Sequence, residues 1–336
     1  MRYWYDANFI FLYPMIFAAQ MTITLESNCE FCDSSCIIKN CIHKNKKAFT
    51  LVELSIVLVI IGLIIGGVLV GRDLIVASEI RSQIAQIEKY QTAINTFKIK
   101  YRYLPGDIPN PDATQLGFTS RSVSAGAGNG DMQINSGSGA GCCRQGQGEL
   151  VLLWRDLSDA KLIGENFSTA TCCTYQSAVD IPSVDIKLYL PNAKLGAANY
   201  VYAWADAYYN TRWIFSSLNF LGISSVTSIN NLSDYGSPTS TRGLTVAQAY
   251  HIDSKMDDGF PQSGKVLSVY VNGQNPIWST GTTNRTRFLT PEGTAISASA
   301  TSCFDNGGVA TNVAQYTRSN ITSGSLNCGL SFRITQ

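Results

Sequence analysis

Glu53 stands where a carboxylate is costly. It is the one charge among the twenty-two residues from Phe49 to Val70, a run dominated by Leu, Ile and Val and free of proline. A carboxylate at mid-membrane costs on the order of 2.5–3.5 kcal/mol, less near an end, so a partner for Glu53 is expected. The other polar residues, Thr50 and Ser55, share that end, behind the basic cluster Lys44, Lys46 and Lys47. Elsewhere the residue types that do chemistry are sparse. Histidine occurs only at His43 and His251. His251 lies beside Asp253, but no G-x-S-x-G elbow, H-E-x-x-H pair or phosphate-cradling loop accompanies it, so no catalytic residue is expected. Asp253, Asp257 and Asp258 supply the hard oxygens that calcium takes. Lys255 and a glycine one residue late break the EF-hand pattern, and helix capping plus a turn is the better account. Asn129, Asp131 and Asn135 are a weaker set of the same kind. No cofactor is expected, with calcium at Asp253, Asp257 and Asp258 as the weak candidate.

The chain has ten cysteines. Cys29, Cys32, Cys36 and Cys41, with His43, offer a C-x2-C zinc spacing. Zinc sites usually hold paired ligands across a folded loop, which favours the reading without metal. Six follow the apolar run, at Cys142, Cys143, Cys172, Cys173, Cys303 and Cys328, and an even number beyond a membrane segment suits disulfides in an oxidising compartment. The vicinal pairs flank a short amphipathic helix marked by Leu150, Leu153, Trp154, Leu157 and Ala160 and ending near Gly164. One or two bridges between those pairs are expected; the full connectivity stays open.

These residues need elements to position them. As a helix, Phe49–Val70 is roughly 33 Å long, enough for a hydrocarbon core of about 30 Å. After Arg72-Asp73 the chain turns amphipathic without a break: Ile80, Ile84, Ile87, Ile94 and Phe97 recur at three- and four-residue spacings, with Tyr90 and Tyr101 near the same stripe. Leu104-Pro105-Gly106-Asp107 stops the helix, giving one element from Phe49 to Tyr103. Gly62, Gly66, Gly67 and Gly71 form two G-x-x-x-G spacings that allow close helix approach in lipid. Residues 119–148 are rich in Gly, Ser, Asn and Ala and read as an exposed loop. Strands are expected over Val184–Leu190, where Val184, Ile186, Leu188 and Leu190 alternate, and over Tyr200–Trp204, Trp213–Leu221, Val266–Val271 and Leu330–Ile334. A tight turn falls at Asn272-Gly273. Thr245-Val246-Ala247-Gln248 is a capping box opening a helix toward Met256. A helix followed mostly by strands predicts an α+β fold with an antiparallel sheet on the long helix. The composition, 45% apolar and 15% charged with a net charge of +1, excludes a polybasic nucleic-acid binder.

Lys46-Lys47-Ala48, then Phe49-Thr50-Leu51-Val52-Glu53-Leu54, then an apolar helix, resembles the cleavage and methylation signature of type IV prepilins and type II secretion pseudopilins. The resemblance implies a pilin-like fold, scission of the Ala48–Phe49 bond by a prepilin peptidase, and methylation of the new Phe49 amine. It also implies that Glu53, the fifth residue after the cut, pairs with a neighbouring subunit's terminal amine in assembly. Ala48 stands where the family usually has glycine, and it too is small. Pairing of Cys303 with Cys328 follows from the same likeness, being common in pilin C-terminal regions. The implied organisation is a leader over residues 1–48, whose length would also fit a start at Met21. A transmembrane and assembly helix over 49–71, its amphipathic extension over 72–103 and an exported α+β domain over 104–336 follow. The basic cluster keeps the N-terminus cytoplasmic and sends the domain outward. The implied setting is the bacterial inner membrane, single-pass with the domain periplasmic, and then a filament.

The implied function is that of a non-enzymatic subunit, assembling with copies of itself or other pilin-like subunits on an inner-membrane platform. The missing helix proline, the Leu-Pro-Gly-Asp turn and Leu162-Ile163-Gly164 lean toward a secretion pseudopilus. Glu53, which the largest minor pseudopilins usually lack, leans away from that position, and pili for competence stay open. The competing reading is a single-pass anchored adhesin or binding module that never polymerises. A secretory signal peptide fits poorly, because the apolar run is too long and its charge too near the start.

Overall fold

The computed structural model describes residues 50–121, 128–134, 148–170, 186–196, 198–205, 218–229, 238–272, 275–279, 299–309 and 312–334. The leader, the Ala48–Phe49 bond, Asn135, Val184, residues 213–217, Gly273 and the four vicinal cysteines fall outside them. The chain divides into a unit ending at Ile61 and a unit from Gly62 to Gln336. The described part of the first is the opening of helix α1, Leu51–Tyr101. There Leu51, Val52, Leu54 and Ile56 are each more than half exposed.

In the second unit α1 has two characters. Exposed apolar residues continue to Val76, and the helix is long and apolar enough to cross a membrane, its most apolar window wholly unburied. From Ile80 on, one face is buried. The expected stripe is there, with Ile80, Ile87, Tyr90, Ile94 and Phe97 inside and Ile84 and Tyr101 packed against them. Gln83 and Gln86 are buried too. Gln86 Nε2 donates to the Asn192 carbonyl at 2.8 Å, and the Lys194 N–H donates to Gln83 Oε1 at 2.6 Å, so both glutamines tie the 192–194 segment to α1. The helix ends two residues sooner than expected, because Arg102 turns left-handed at φ 66°.

A short turn of helix, α2 (Asp112–Gln115), and then α3 (Glu149–Asp159) follow. α3 is the amphipathic helix read from Leu150, Leu153, Trp154 and Leu157, all fully buried. Its closing left-handed residue is Lys161 rather than Gly164. Trp154 meets Tyr90 of α1 edge to face, centroids 5.0 Å apart, an arrangement worth ~0.5–1.5 kcal/mol beyond area burial.

The remainder is β1 (Asn199–Ala205), β2 (Asn219–Ile229), β3 (Pro238–Thr241), β4 (Leu244–Thr245), helix α4 (Val246–Met256), β5 (Val266–Leu267), β6 (Val269–Asn272) and β7 (Asn275–Trp278). After these come β8 (Phe304–Asp305), β9 (Gln315–Tyr316), helix α5 (Arg318–Ile321), β10 (Leu326–Cys328) and β11 (Leu330–Arg333). The main sheet has five antiparallel strands in the order β1-β2-β11-β5, with β3 on the far half of β2. β4 pairs with β10, β6 with β7 and β8 with β9. Gln91 Nε2 of α1 donates to the Arg333 carbonyl of β11 at 3.2 Å. A long apolar helix and an antiparallel sheet domain make this an α+β, pilin-like fold.

Two local expectations are corrected. Residues Ile186–Leu188 form a 3-10 turn, not a strand. Ile186 and Leu190 point inward while Leu188 is 43% exposed; with Pro191 next, that four-residue spacing serves a helical turn. The strand at Val266–Val271 breaks at Ser268, whose N–H donates to the Pro261 carbonyl at 2.7 Å, sending β5 to the main sheet and β6 to a hairpin. Residues 128–134, the described middle of the expected loop over 119–148, carry no helix or strand and leave Asn129 and Asp131 exposed, while Asp107 ties them down. Asp107 accepts from the N–H groups of Asn129, Gly130 and Met132 at 3.2, 2.7 and 2.8 Å, and Ile134 is fully buried. Left-handed backbone at Gly128 (φ 96°) and Gly130 (φ 75°) turns those donors inward, and a Cβ on Gly128 would sit 2.2 Å from the Ile108 carbonyl oxygen.

Candidate functional site

The first described residues build a site out of Thr50 and Glu53. Thr50 precedes the helix, and its carbonyl accepts the first helical bond from the Leu54 N–H at 3.2 Å. The Glu53 N–H donates to Thr50 Oγ1 at 3.2 Å. In return Glu53 Oε2 accepts from the Thr50 N–H at 2.8 Å and from its hydroxyl at 2.9 Å. This is a capping box, in which two otherwise orphaned helix-start donors are satisfied reciprocally. The Thr-x-x-Glu spacing that signals it has the same form as Thr245-x-x-Gln248, whose box forms as expected, with bonds of 3.2 and 2.9 Å. At Thr50 the signal lay in the sequence and went unread. Its chemical consequence is that the Glu53 carboxylate has hydrogen-bond donors within its own chain. Ala48 and Phe49, the expected cut, lie outside the described residues.

Along α1 the four glycines leave open space: a Cβ on Gly62, Gly66, Gly67 or Gly71 would meet nothing within 4 Å. Among the described residues they serve no close contact. They share this stretch of α1 with the exposed Leu63, Ile64, Ile65, Val68, Leu69 and Val70.

Asp253, Asp257 and Asp258 do come together, with oxygens within 4.8 Å of one another. Each is committed to the turn after α4. Asp253, fully buried, accepts from Tyr316 Oη at 2.8 Å and the Gly259 N–H at 3.2 Å. Asp257 accepts from the N–H groups of Lys265 and Val266. Asp258 accepts from the Phe260 N–H at 2.9 Å and Ser263 Oγ at 2.7 Å. Burial pushes the Asp253 carboxyl up to about 7, against the Tyr316 hydrogen bond that favours its charge. The carboxylate oxygens that could take calcium therefore also accept the hydrogen bonds of the cap and the turn. His251 is exposed, its ring 5.6 Å from that of Tyr250. Asn129 and Asp131 bond each other, Nδ2 to Oδ2 at 2.8 Å, in a local turn.

Cys303 and Cys328 form a disulfide, Cα atoms 5.1 Å apart, both fully buried. It joins the residue before β8 to the end of β10. Cys142, Cys143, Cys172 and Cys173 fall outside the described residues. One charged site had no sequence signal: Arg121 and Asp156 form a fully buried ion pair, Nη2 to Oδ2 at 2.6 Å, and Asp156 also accepts from the Gly106 N–H at 2.6 Å.

The family model for the prokaryotic N-terminal methylation motif matches residues 43–69, so the chain carries the prepilin-type signature. No curated protein and no solved structure matches the chain. The matched segment runs from the basic cluster through the Thr50–Glu53 box and into the exposed apolar helix.

Proposed function

We propose that the chain is a pilin-like structural subunit of a type II secretion pseudopilus or type IV pilus, cut at Ala48–Phe49, methylated on the Phe49 amine and assembled by helix packing. The observation that carries this reading is the coincidence, within residues 43–69, of the methylation signature with a carboxylate placed at the very start of an exposed apolar helix. A plain anchor needs apolar length alone. Glu53 adds an anionic group four residues from the amine that cleavage would create. The capping box then makes the carboxylate tolerable in lipid before assembly, and a neighbour's amine replaces Thr50 as its principal partner in the filament. The protein inserts once, N-terminus inside, with the sheet domain outside, and does no catalysis of its own. Exchange of Glu53 for Ala leaves membrane insertion and cleavage intact and reduces incorporation into sheared filaments; normal incorporation would refute the role given to Glu53. An anchored adhesin shares the apolar helix but predicts an uncut Lys-Lys-Ala-Phe junction.

A further inference from the structure

Arg72 and Asp73 are two charges in an apolar setting. Leu69 and Val70 before them are 64% and 60% exposed, and Leu74, Ile75 and Val76 after them are 66%, 60% and 42% exposed. A span of about 20 residues suffices for the hydrocarbon core, and Phe49–Val70 already supplies it. Three apolar residues therefore lie past the charges and before the buried face begins at Ile80. At ~100° per residue they sweep about 200° of the circumference, so docking one face on the chain's own domain would leave part of that arc wet. That arc is wider than the stripe of about 100° that a helix commonly turns to a single core.

The charges point to what covers it. Adjacent residues on a helix do not face each other, so Arg72 cannot neutralise Asp73 of its own chain. Among the described residues neither takes part in an ion pair. Charges drawn into an apolar contact need partners of opposite sign. A parallel second copy offers both at once, together with its own apolar turn as cover. Gly71, with open space where a Cβ would be, permits close approach just there.

We propose that Arg72 of one copy pairs with Asp73 of the next, sealed by Leu74, Ile75 and Val76, as a second charge lock between subunits. It rests on the subunit reading above and adds to it the residues that fix the contact beyond the lipid. Each copy gives Arg72 to one neighbour and Asp73 to another, a heterologous contact that propagates rather than closes.

The test is photo-crosslinking of the full chain in membranes, with p-benzoylphenylalanine in place of Leu74 and, as the control within the span, in place of Leu58. Arg72→Asp and Asp73→Arg each set like charges opposite one another and should lower the self-crosslink at position 74 by about tenfold. The double exchange Arg72→Asp/Asp73→Arg should restore it. Single reversals that crosslink like the parent, a double exchange no better than the singles, or label at position 74 passing to lipid would each overturn the pairing. Absence of self-crosslinking at position 58 in the parent would overturn the subunit reading as well, whereas crosslinking at 58 with indifference at 74 overturns the pairing alone.

Discussion

At Glu53 one side chain has two jobs, and Gln separates them. Gln at the third helical position completes a capping box as Glu does, so Glu53→Gln should preserve the helix start while removing the charge that an amine recognises. Filament incorporation by Glu53→Gln should therefore fall as far as that of Glu53→Ala. Incorporation at the parent level would reduce Glu53 to a cap. Asp253 makes a second prediction at this scale. Its folded value of about 7 lies above an unfolded one of about 3.9. The native state thus binds more protons between those limits, and stability is fully present below about pH 4 and declines as pH rises toward 7. Asp107, raised to about 6 by burial, adds to the same trend. Urea midpoints of the full chain in detergent should fall from pH 5 to pH 8, and Asp253→Asn should flatten that slope. An unchanged slope would show that Asp253 does not govern it.

At the scale of elements, the Arg121–Asp156 pair locks α3 to the segment after α2. Breaking a buried pair costs ~3–5 kcal/mol because the remaining charge is uncompensated, so Arg121→Met should lower the unfolding free energy by that much, and Arg121→Met/Asp156→Leu by clearly less. On β2, Gly222 lies opposite Tyr202 of β1, and a Cβ there would come within 2.3 Å of the Tyr202 ring. That ring is fully buried and its hydroxyl accepts from the Val271 N–H at 3.1 Å. Gly222→Ala should cost about 1–3 kcal/mol, as overpacking does, read as a lower thermal midpoint. α1, α3 and α4 were legible because their apolar spacing and caps are local. The turn at Ile186–Leu188 was misread because apolar residues at 184, 186, 188 and 190 satisfy a period of two and a four-residue repeat alike. Arg121, Asp156, Asp107, Gln83 and Gln86 were illegible for a different reason. Polar residues are buried only where partners distant in sequence satisfy them, and no local pattern announces that.

For the molecule as a whole, the two ends of the chain carried different amounts of information. The apolar helix and its signature are encoded in consecutive residues, which is why both the expected α+β class and the matched segment 43–69 follow from reading in order. The sheet order β1-β2-β11-β5 depends on a closing strand more than a hundred residues from its partner, and pairing at that separation leaves no mark in either strand alone. The disulfide between Cys303 and Cys328 holds that closing region, and replacing both cysteines by Ser should cost ~2–4 kcal/mol, measured as a lower urea midpoint. The central claim, that the amino end is an assembly element rather than an anchor, is tested most directly by the intact mass of the protein extracted from membranes of a host with prepilin peptidase. The account predicts a chain beginning at Phe49 and carrying one added methyl group. A full-length chain, or one cut elsewhere, would contradict it.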